Sequence, residues 1–314
     1  MRGPASRAAL ATGTDESRAA LATLVDRALV LTERGADEFT GGAGPSAFDR
    51  LYGGLIAAQA LRAAGHTVAE QLRVHSLHVS FLRMGAPDVE LVLTVERVRD
   101  TGRAATRLVR AVQGGRLLAL VTASFQVPRP GVEHGRSAVS APDPEGLPTR
   151  TESLRARFGE ALAPNARAAW PIDIRHVDRS PWARGASLEP RNRMWVRAPA
   201  PLPDDPLLHA CVLAYASDLT MFEPVVYPHE QDPRPLSWDL MTRGEVRGGS
   251  LDHTIWFHRP FRVDRWLLHE HVSPVAADSR GLTTGQYRAE DGTLVASVAQ
   301  EIAVLHDPRP EDRP

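Results

Sequence analysis

The sequence predicts an α+β protein built as two tandem copies of one unit, each a long helix followed by an antiparallel sheet that wraps it. Three observations point there. Leu251-Asp252-His253-Thr254-Ile255-Trp256-Phe257-His258-Arg259-Pro260-Phe261 reads as a strand, with β-branched and aromatic Ile255, Trp256 and Phe257 closed by Pro260. A degenerate copy stands near residue 80, where Phe81-Leu82-Arg83 matches Phe257-His258-Arg259. Each copy is followed by the same outline: a strand-rich block, a glycine turn (Gly114-Gly115, Asp291-Gly292), then a long alternating strand. Paired halves of this kind indicate duplication, so function is sought where the halves differ.

Taken in order, residues 1 to about 14 read as disordered, and an amphipathic helix is expected over about 16–33. Gly41-Gly42-Ala43-Gly44-Pro45 follows a short strand and lacks the downstream Gly-Lys-Ser/Thr of a phosphate loop, so it reads as a turn. Gly53 to about Ala69 is a helix rich in small residues, which allow close packing against a sheet or a second helix. From about 74 to 127 the period becomes two, through Leu77, Val79 and Phe81, then Val89, Leu91, Leu93 and Val95, then Leu117, Ala119, Val121, Ala123, Phe125 and Val127. Short connections and one apolar face per strand predict an antiparallel sheet. Residues 128 to about 150 are rich in proline and read as an exposed linker. A helix near 151–163 and a mixed stretch with Trp170, Trp182 and Trp195 lead to the second copy. There the pattern returns, with a helix over about 206–222, a proline-containing loop, and strands near 250–259, 265–275, 280–289 and 293–305. The chain thus divides into an N-terminal extension and helix (1–35), a first unit (36–127), a linker (128–165), a second unit (166–306) and a tail (307–314).

Composition excludes several classes. The 314 residues are 43% apolar, enough for a packed core, and no apolar run approaches the about 18 residues of a membrane span. A formal net charge of −1 gives no field for nucleic acid or an anionic membrane. All 37 basic residues are arginine, which excludes a lysine Schiff base and a P-loop lysine. The single cysteine, Cys211, fits a reducing compartment, and no signal-peptide pattern opens the chain, so a cytoplasmic protein is expected.

Three polar residues of the second unit stand out. Asp218 lies among Cys211, Ala214, Tyr215, Met221 and Phe222 at helical spacing. A carboxylate there must be paired, hydrogen-bonded or protonated; alternatively the helix is rotated or ends early, and Asp218 caps it or faces solvent. Gln300 shares a strand face with Leu294, Ala296, Val298, Ile302 and Val304, where the first unit carries Ala123. It is either a site residue or a core glutamine bonded to main chain. Ser250 precedes the opening strand, where the first unit has Val74. A carboxylate, a hydroxyl and an amide together suit hydrolysis by an activated water, without a covalent intermediate.

At these residues the sequence resembles the acyl-CoA thioesterase II family over about residues 36–305. The matching blocks are Tyr52-Gly53-Gly54 with Gln59-Ala60-Leu61, His75-Ser76 through Phe81-Leu82-Arg83, and Thr122-Ala123-Ser124-Phe125-Gln126. In the second unit they are Tyr215-Ala216-Ser217-Asp218, Asp252-His253 through Trp256-Phe257-His258-Arg259-Pro260-Phe261, and Val298-Ala299-Gln300-Glu301. The resemblance implies a double hotdog fold and a catalytic set of Asp218, Ser250 and Gln300. It implies attack of water on an acyl-CoA thioester, giving a fatty acid and coenzyme A, with no cofactor beyond the substrate's own coenzyme A. A helix N-terminus or main-chain N–H is expected to hold the oxyanion. Association as a homodimer or homotetramer is expected by the same resemblance. The loop from Val226 to Pro235 is expected to shape the acyl channel.

Other chemistries are poorly supported. No Gly-x-Ser-x-Gly elbow is present. His75-x-x-His78 and His269-x-His271 lack the carboxylate or cysteine of a zinc site, so no metal is expected. Cys211 sits on an apolar stripe, and His209, at the first turn of its helix, is a weak match to a hotdog hydratase. The remaining alternative is a non-enzymatic acyl-CoA or lipid-binding protein, distinguished by whether thiol appears when acyl-CoA is added.

Overall fold

Among the described residues of the computed structural model every strand pairing is antiparallel, and the strands form one 13-stranded sheet. The structure describes residues 11–44, 50–135, 140–158, 170–178, 189–226, 228 and 246–306. The first half contributes β1 (Thr32–Gly35), β2 (Glu38–Gly41), β3 (Arg73–Phe81), β4 (Leu91–Asp100), β5 (Ala104–Gln113) and β6 (Arg116–Gln126). The second contributes β7 (Asp173–His176), β8 (Arg191–Arg197), β9 (Val246–Ser250), β10 (Asp252–Phe257), β11 (Leu267–Ala277), β12 (Arg280–Ala289) and β13 (Leu294–His306). Their order is β1-β2-β4-β5-β6-β3-β10-β13-β12-β11-β8-β7, with β9 added to the end of β13. The two repeated strands, β3 and β10, meet at the centre, with Leu77 opposite Ile255 and Val79 opposite His253.

Helix α1 (Ala11–Thr23) passes into a π-helical turn at Leu24–Ala28, so it begins and ends earlier than its sequence suggests. Helix α2 (Gly53–His66) is buried on nearly all sides, as an alanine-rich helix without a polar stripe must be. Its small residues permit close approach to α4 (Pro206–Ser217). A methyl group on Gly54 would lie 2.6 Å from the Tyr215 carbonyl oxygen, and one on Gly65 would collide with Leu207. These contacts set the two helices antiparallel, the N-terminus of α2 beside the C-terminus of α4. Arg62 of α2 also pairs with Asp205, the N-cap of α4, at 2.7 Å.

Three expectations need correction. The second long helix ends at Ser217, not near 222; Leu219 and Met221 are buried beyond it, so apolar spacing alone extended the helix too far. The mixed stretch before it contains strands β7 and β8, and the first half holds an additional strand, β5. The region after β6 is not only an exposed linker. Its 3-10 turn at Pro144–Gly146 and helix α3 (Arg150–Phe158) are followed by strand β7, and its main chain packs on the second half. Arg175 Nη1 donates to the Pro144 carbonyl at 2.8 Å, and Trp195 Nε1 donates to the Pro142 carbonyl at 2.9 Å. A short helix, α5 (Glu223–Val226), follows α4. Of the expected channel loop, only Val226 and Pro228 lie within the described residues.

Candidate active site

Asp218 is the C-cap of α4. Its backbone is near-helical at φ −81 and ψ −15, and its N–H turns back to the Ala216 carbonyl. The early helix end foreseen as an alternative is therefore the one adopted, yet the carboxylate does not face open solvent. Gln300 Nε2 donates to Asp218 Oδ1 at 2.8 Å and to Ser250 Oγ at 2.6 Å, while the Ser250 hydroxyl donates to the same Oδ1 at 3.2 Å. All three sequence-identified residues thus meet, from a helix end, the last residue of β9 and the middle of β13. Oδ1 is taken up by two donors. Oδ2 points at the head of α2, where a methyl group on Gly53 would lie 2.9 Å from it and 3.0 Å from the Phe81 ring.

A second layer lies behind Gln300. His253 Nδ1 is 2.5 Å from Gln300 Oε1, and its Nε2 is 2.8 Å from Ser217 Oγ. Burial holds the His253 ring below the ordinary imidazole range, against the opposing pull of the Asp218 charge. Sequence comparison placed His253 only within the Asp252-His253 block and gave it no role. The usable signal was its counterpart Leu77, since Leu77 stands opposite Ala123 and His253, one residue before the Thr254–Ala299 pair, contacts Gln300. Gly53 went unrecognised too, because the approach of the two helix ends is a tertiary fact.

Phenols crowd the carboxylate. Tyr52, Tyr215 and Tyr287 are pushed up first by burial and then by the Asp218 charge, so all three stay protonated. Tyr52 donates to the Tyr215 carbonyl at 2.9 Å, fixing the head of α2 against the end of α4. Helix α2 has no side-chain cap at Tyr52, whereas Asp205 caps α4 by accepting from Leu207 N and Leu208 N. The first N–H groups of a helix lack intrahelical partners and carry its positive pole. That pole faces Asp218 Oδ2.

The competing groups lie elsewhere. Burial pushes the Cys211 thiol up to about 12, which leaves it un-ionised and unsuited to attack. His209 Nδ1 accepts from Val263 N at 3.2 Å, at the end of α4 remote from Asp218. His78 Nδ1 is 3.3 Å from Thr254 Oγ1. Among the described residues no three His, Cys, Asp or Glu side chains are grouped to hold a metal ion, and no helix is long and apolar enough to cross a membrane.

Comparison with known proteins identifies the family. Residues 164–302 match the acyl-CoA thioesterase family model, and residues 43–126 match the acyl-CoA thioesterase N-terminal domain. Human acyl-coenzyme A thioesterase 8 is 37% identical over 83% of this chain and 82% of its own length. Acyl-CoA thioesterase 2 of Haemophilus influenzae is 32% identical over 81% of this chain and 87% of its own. A solved acyl-CoA thioesterase II from Mycobacterium marinum superposes with a TM-score of 0.71 at 35% identity, covering 90% of this chain and 98% of that one. A protein from Alicyclobacillus acidocaldarius described as having a hot dog fold superposes at 0.70 with 21% identity, 90% and 98% covered, a likeness of fold alone. With its two halves fused through β3 and β10, this chain is a double hotdog protein and belongs to the acyl-CoA thioesterase family.

Proposed function

We propose that the chain hydrolyses acyl-CoA thioesters to a free carboxylic acid and coenzyme A, using a water activated by Asp218, Ser250 and Gln300. The observation that carries the reading is the single amide of Gln300, which reaches Asp218 Oδ1 at 2.8 Å and Ser250 Oγ at 2.6 Å. With Oδ1 occupied, the water is bound on Oδ2, between the carboxylate and the head of α2. Asp218 takes one of its protons as the oxygen attacks the thioester carbon. The oxyanion that forms is stabilised by the uncapped N-terminus of α2. Collapse breaks the C–S bond, and the departing thiolate takes the proton from Asp218. Acid and thiol are the products, and the carboxylate is regenerated.

The test is release of thiol from acyl-CoAs ranging from acetyl to palmitoyl, with Asp218→Asn beside the native protein. A positioned general base contributes roughly 10²- to 10⁴-fold, so kcat is expected to fall by that factor. Turnover that survives the substitution would remove Asp218 from the reaction. We also propose a cytoplasmic protein, supported by its one cysteine, Cys211, buried and unpaired. Association as a homodimer or homotetramer belongs to the same reading, supported by the family resemblance, and light scattering in solution tests it.

A further inference from the structure

We infer that His253 is a positioning residue for the hydrolysis: it fixes the orientation of the Gln300 amide, and through it the water-binding geometry of Asp218 and Ser250. The inference rests on the catalytic reading above. It starts from the polarity of one hydrogen-bonded chain. Asp218 Oδ1 and the Ser250 oxygen both lie within hydrogen-bonding distance of the same Gln300 atom. A carboxylate oxygen only accepts, so the atom facing it must be the NH₂ of the amide, both of whose protons are then used. Gln300 Oε1 is left pointing the other way, into a side chain that is 0% exposed, His253.

An amide oxygen also only accepts, so His253 must carry its proton on Nδ1. The neutral ring then has a lone pair on Nε2, where the Ser217 hydroxyl donates at 2.8 Å. Ser217 Oγ also lies 3.1 Å from the Ala214 carbonyl, within the last turn of α4, but its one proton goes to Nε2, because a ring protonated on Nδ1 has nothing to donate there. One chain of donors therefore runs from the end of α4 through His253 and Gln300 back to Asp218, the C-cap of that same helix. It has one polarity. Flipping the amide would set oxygen against the carboxylate and NH₂ against the Nδ1 proton, which are two repulsive contacts in a buried site.

His253 does not touch the position assigned to the water, so its effect must pass through Gln300. The counterpart in the first half is instructive: Leu77 stands where His253 stands, opposite Ala123 instead of Gln300. The imidazole and the amide are present together in one half and absent together from the other.

The experiment is a kinetic double-mutant cycle of His253→Leu with Gln300→Ala, using the best acyl-CoA of the panel, with His253→Asn as the conservative variant. Loss of an outer partner that orients a functional group lowers rates by about 10- to 100-fold. His253→Leu is expected to lower kcat by that factor, with KM within about twofold of native. Asparagine places an N–H near the position of imidazole Nδ1 and is expected to recover most of the loss. In the Gln300→Ala background the His253→Leu effect should vanish, because nothing remains to be oriented. A full, additive loss in that background overturns the inference, as does a His253→Leu protein with native kcat. Gln300→Ala alone tests the reading beneath it: native turnover there would overturn both, whereas its loss beside an indifferent His253→Leu overturns only the role of His253. Melting temperatures of all variants separate folding defects from kinetic ones, and His253→Asn keeps the question open to measurement if the leucine protein fails to fold.

Discussion

On its inner face the first half-sheet presents Leu77, Leu93, Val95, Val109 and Ala111; at the same register the second presents His253, His269, His271, Gly285 and Tyr287. The side chains of both sets are buried, and Gly285 itself is half-buried. The first is an ordinary apolar core, each large side chain contributing about 1.5–3 kcal/mol by leaving water. The second gives up that contribution to hold imidazoles that must stay neutral. Gly285 makes the exchange possible, since a methyl group there would lie 2.8 Å from His269 Nε2 and 2.8 Å from the His271 Cβ. His269 stacks between His271 and Tyr287, with ring centroids at 4.3 and 4.0 Å. Duplicated backbones have thus been divided between two tasks, stability in one half and a polar site in the other.

At the position of the site itself the contrast is sharper. Thr67, the C-cap of α2, matches Asp218; Ala123 matches Gln300; Arg107 matches Thr283. Arg107 is fully buried and fills what would be the second site. It donates to Thr67 Oγ1 at 2.7 Å, to the Thr67 carbonyl at 2.9 Å and to Asp100 at 2.6 Å. The nearby N-terminus of α4 is closed by Asp205, where that of α2 is open.

The largest expected effect comes from making the half that carries the proposed site resemble the other. Gln300→Ala installs the residue the first half already uses. It removes the donor to both Asp218 and Ser250, and kcat should fall by about 10²- to 10³-fold, the usual cost of one preorganised donor at a reacting centre. The melting temperature should fall only modestly, since alanine fits this face but the buried His253 Nδ1 loses its acceptor, at a cost of about 1–3 kcal/mol. Turnover assays and calorimetry on one preparation check both halves of the statement, and a fall in stability matching the fall in rate would refute it.

Next comes the plug. Arg107→Leu leaves the Thr67, Arg99 and Thr106 carbonyls without their guanidinium donor. Buried unsatisfied acceptors cost about 1–3 kcal/mol each, so a net loss of about 3 kcal/mol is expected in urea unfolding. Activity per folded molecule should be unchanged, because Arg107 lies at the far end of α2 from Gly53. A loss below about 1 kcal/mol would mean that the guanidinium is not what holds this end together.

Much of this contrast was open to reading in the sequence, and the reason is specific. Where inner positions are apolar, as in β4 and β6, alternation marks the strand, and a lone Gln300 on such a face is conspicuous. Strand β5 escaped because Arg107 occupies an inner position and breaks the alternation. β7 and β8 escaped because short strands rich in Arg and Trp carry little period. Asp218 was found through an apolar stripe that is not a helix at that point; Leu219 and Met221 are buried in a turn, and burial without helix produces the same spacing. Ser250 was identified, but not its strand β9, whose Gly248-Gly249 has no strand preference. The role of His253 needed a partner's orientation, which no spacing encodes.

The histidine face also makes the second half acid-sensitive. Burial lowers His271 to about 3 and His176 to about 4. A histidine depressed in the folded state binds its proton more readily when unfolded, whose value is near 6.5, so stability is present above that value and is lost as pH falls towards the folded one. For His271 the loss between pH 7 and pH 5 is on the order of 2 kcal/mol. His271→Val, the residue of the first half, should therefore flatten the decline of melting temperature over that interval. An unchanged slope would show that His271 is not protonated on unfolding there.

The smallest effect expected is also the most local. Gly53 is where the two halves meet at the proposed water site: the head of α2 from one, Asp218 from the other. Its conformation does not demand glycine, since positive φ is confined to other residues among those described. What demands it is space, because the Cβ of an alanine would lie 2.9 Å from Asp218 Oδ2 and 3.0 Å from Phe81. Alanine is a better helix former than glycine by about 1 kcal/mol, so Gly53→Ala should not destabilise the helix itself. It should instead displace the oxygen assigned to the water. Loss of about tenfold in kcat, or about 1.4 kcal/mol of transition-state stabilisation, is expected from a misplacement of this size. The matching contact at the other end of the helix pair is Gly65 against Leu207, where no chemistry is assigned. Gly65→Ala should therefore lower the melting temperature and leave kcat alone. If the two glycines behave alike, space at Gly53 serves packing, and the water is bound elsewhere.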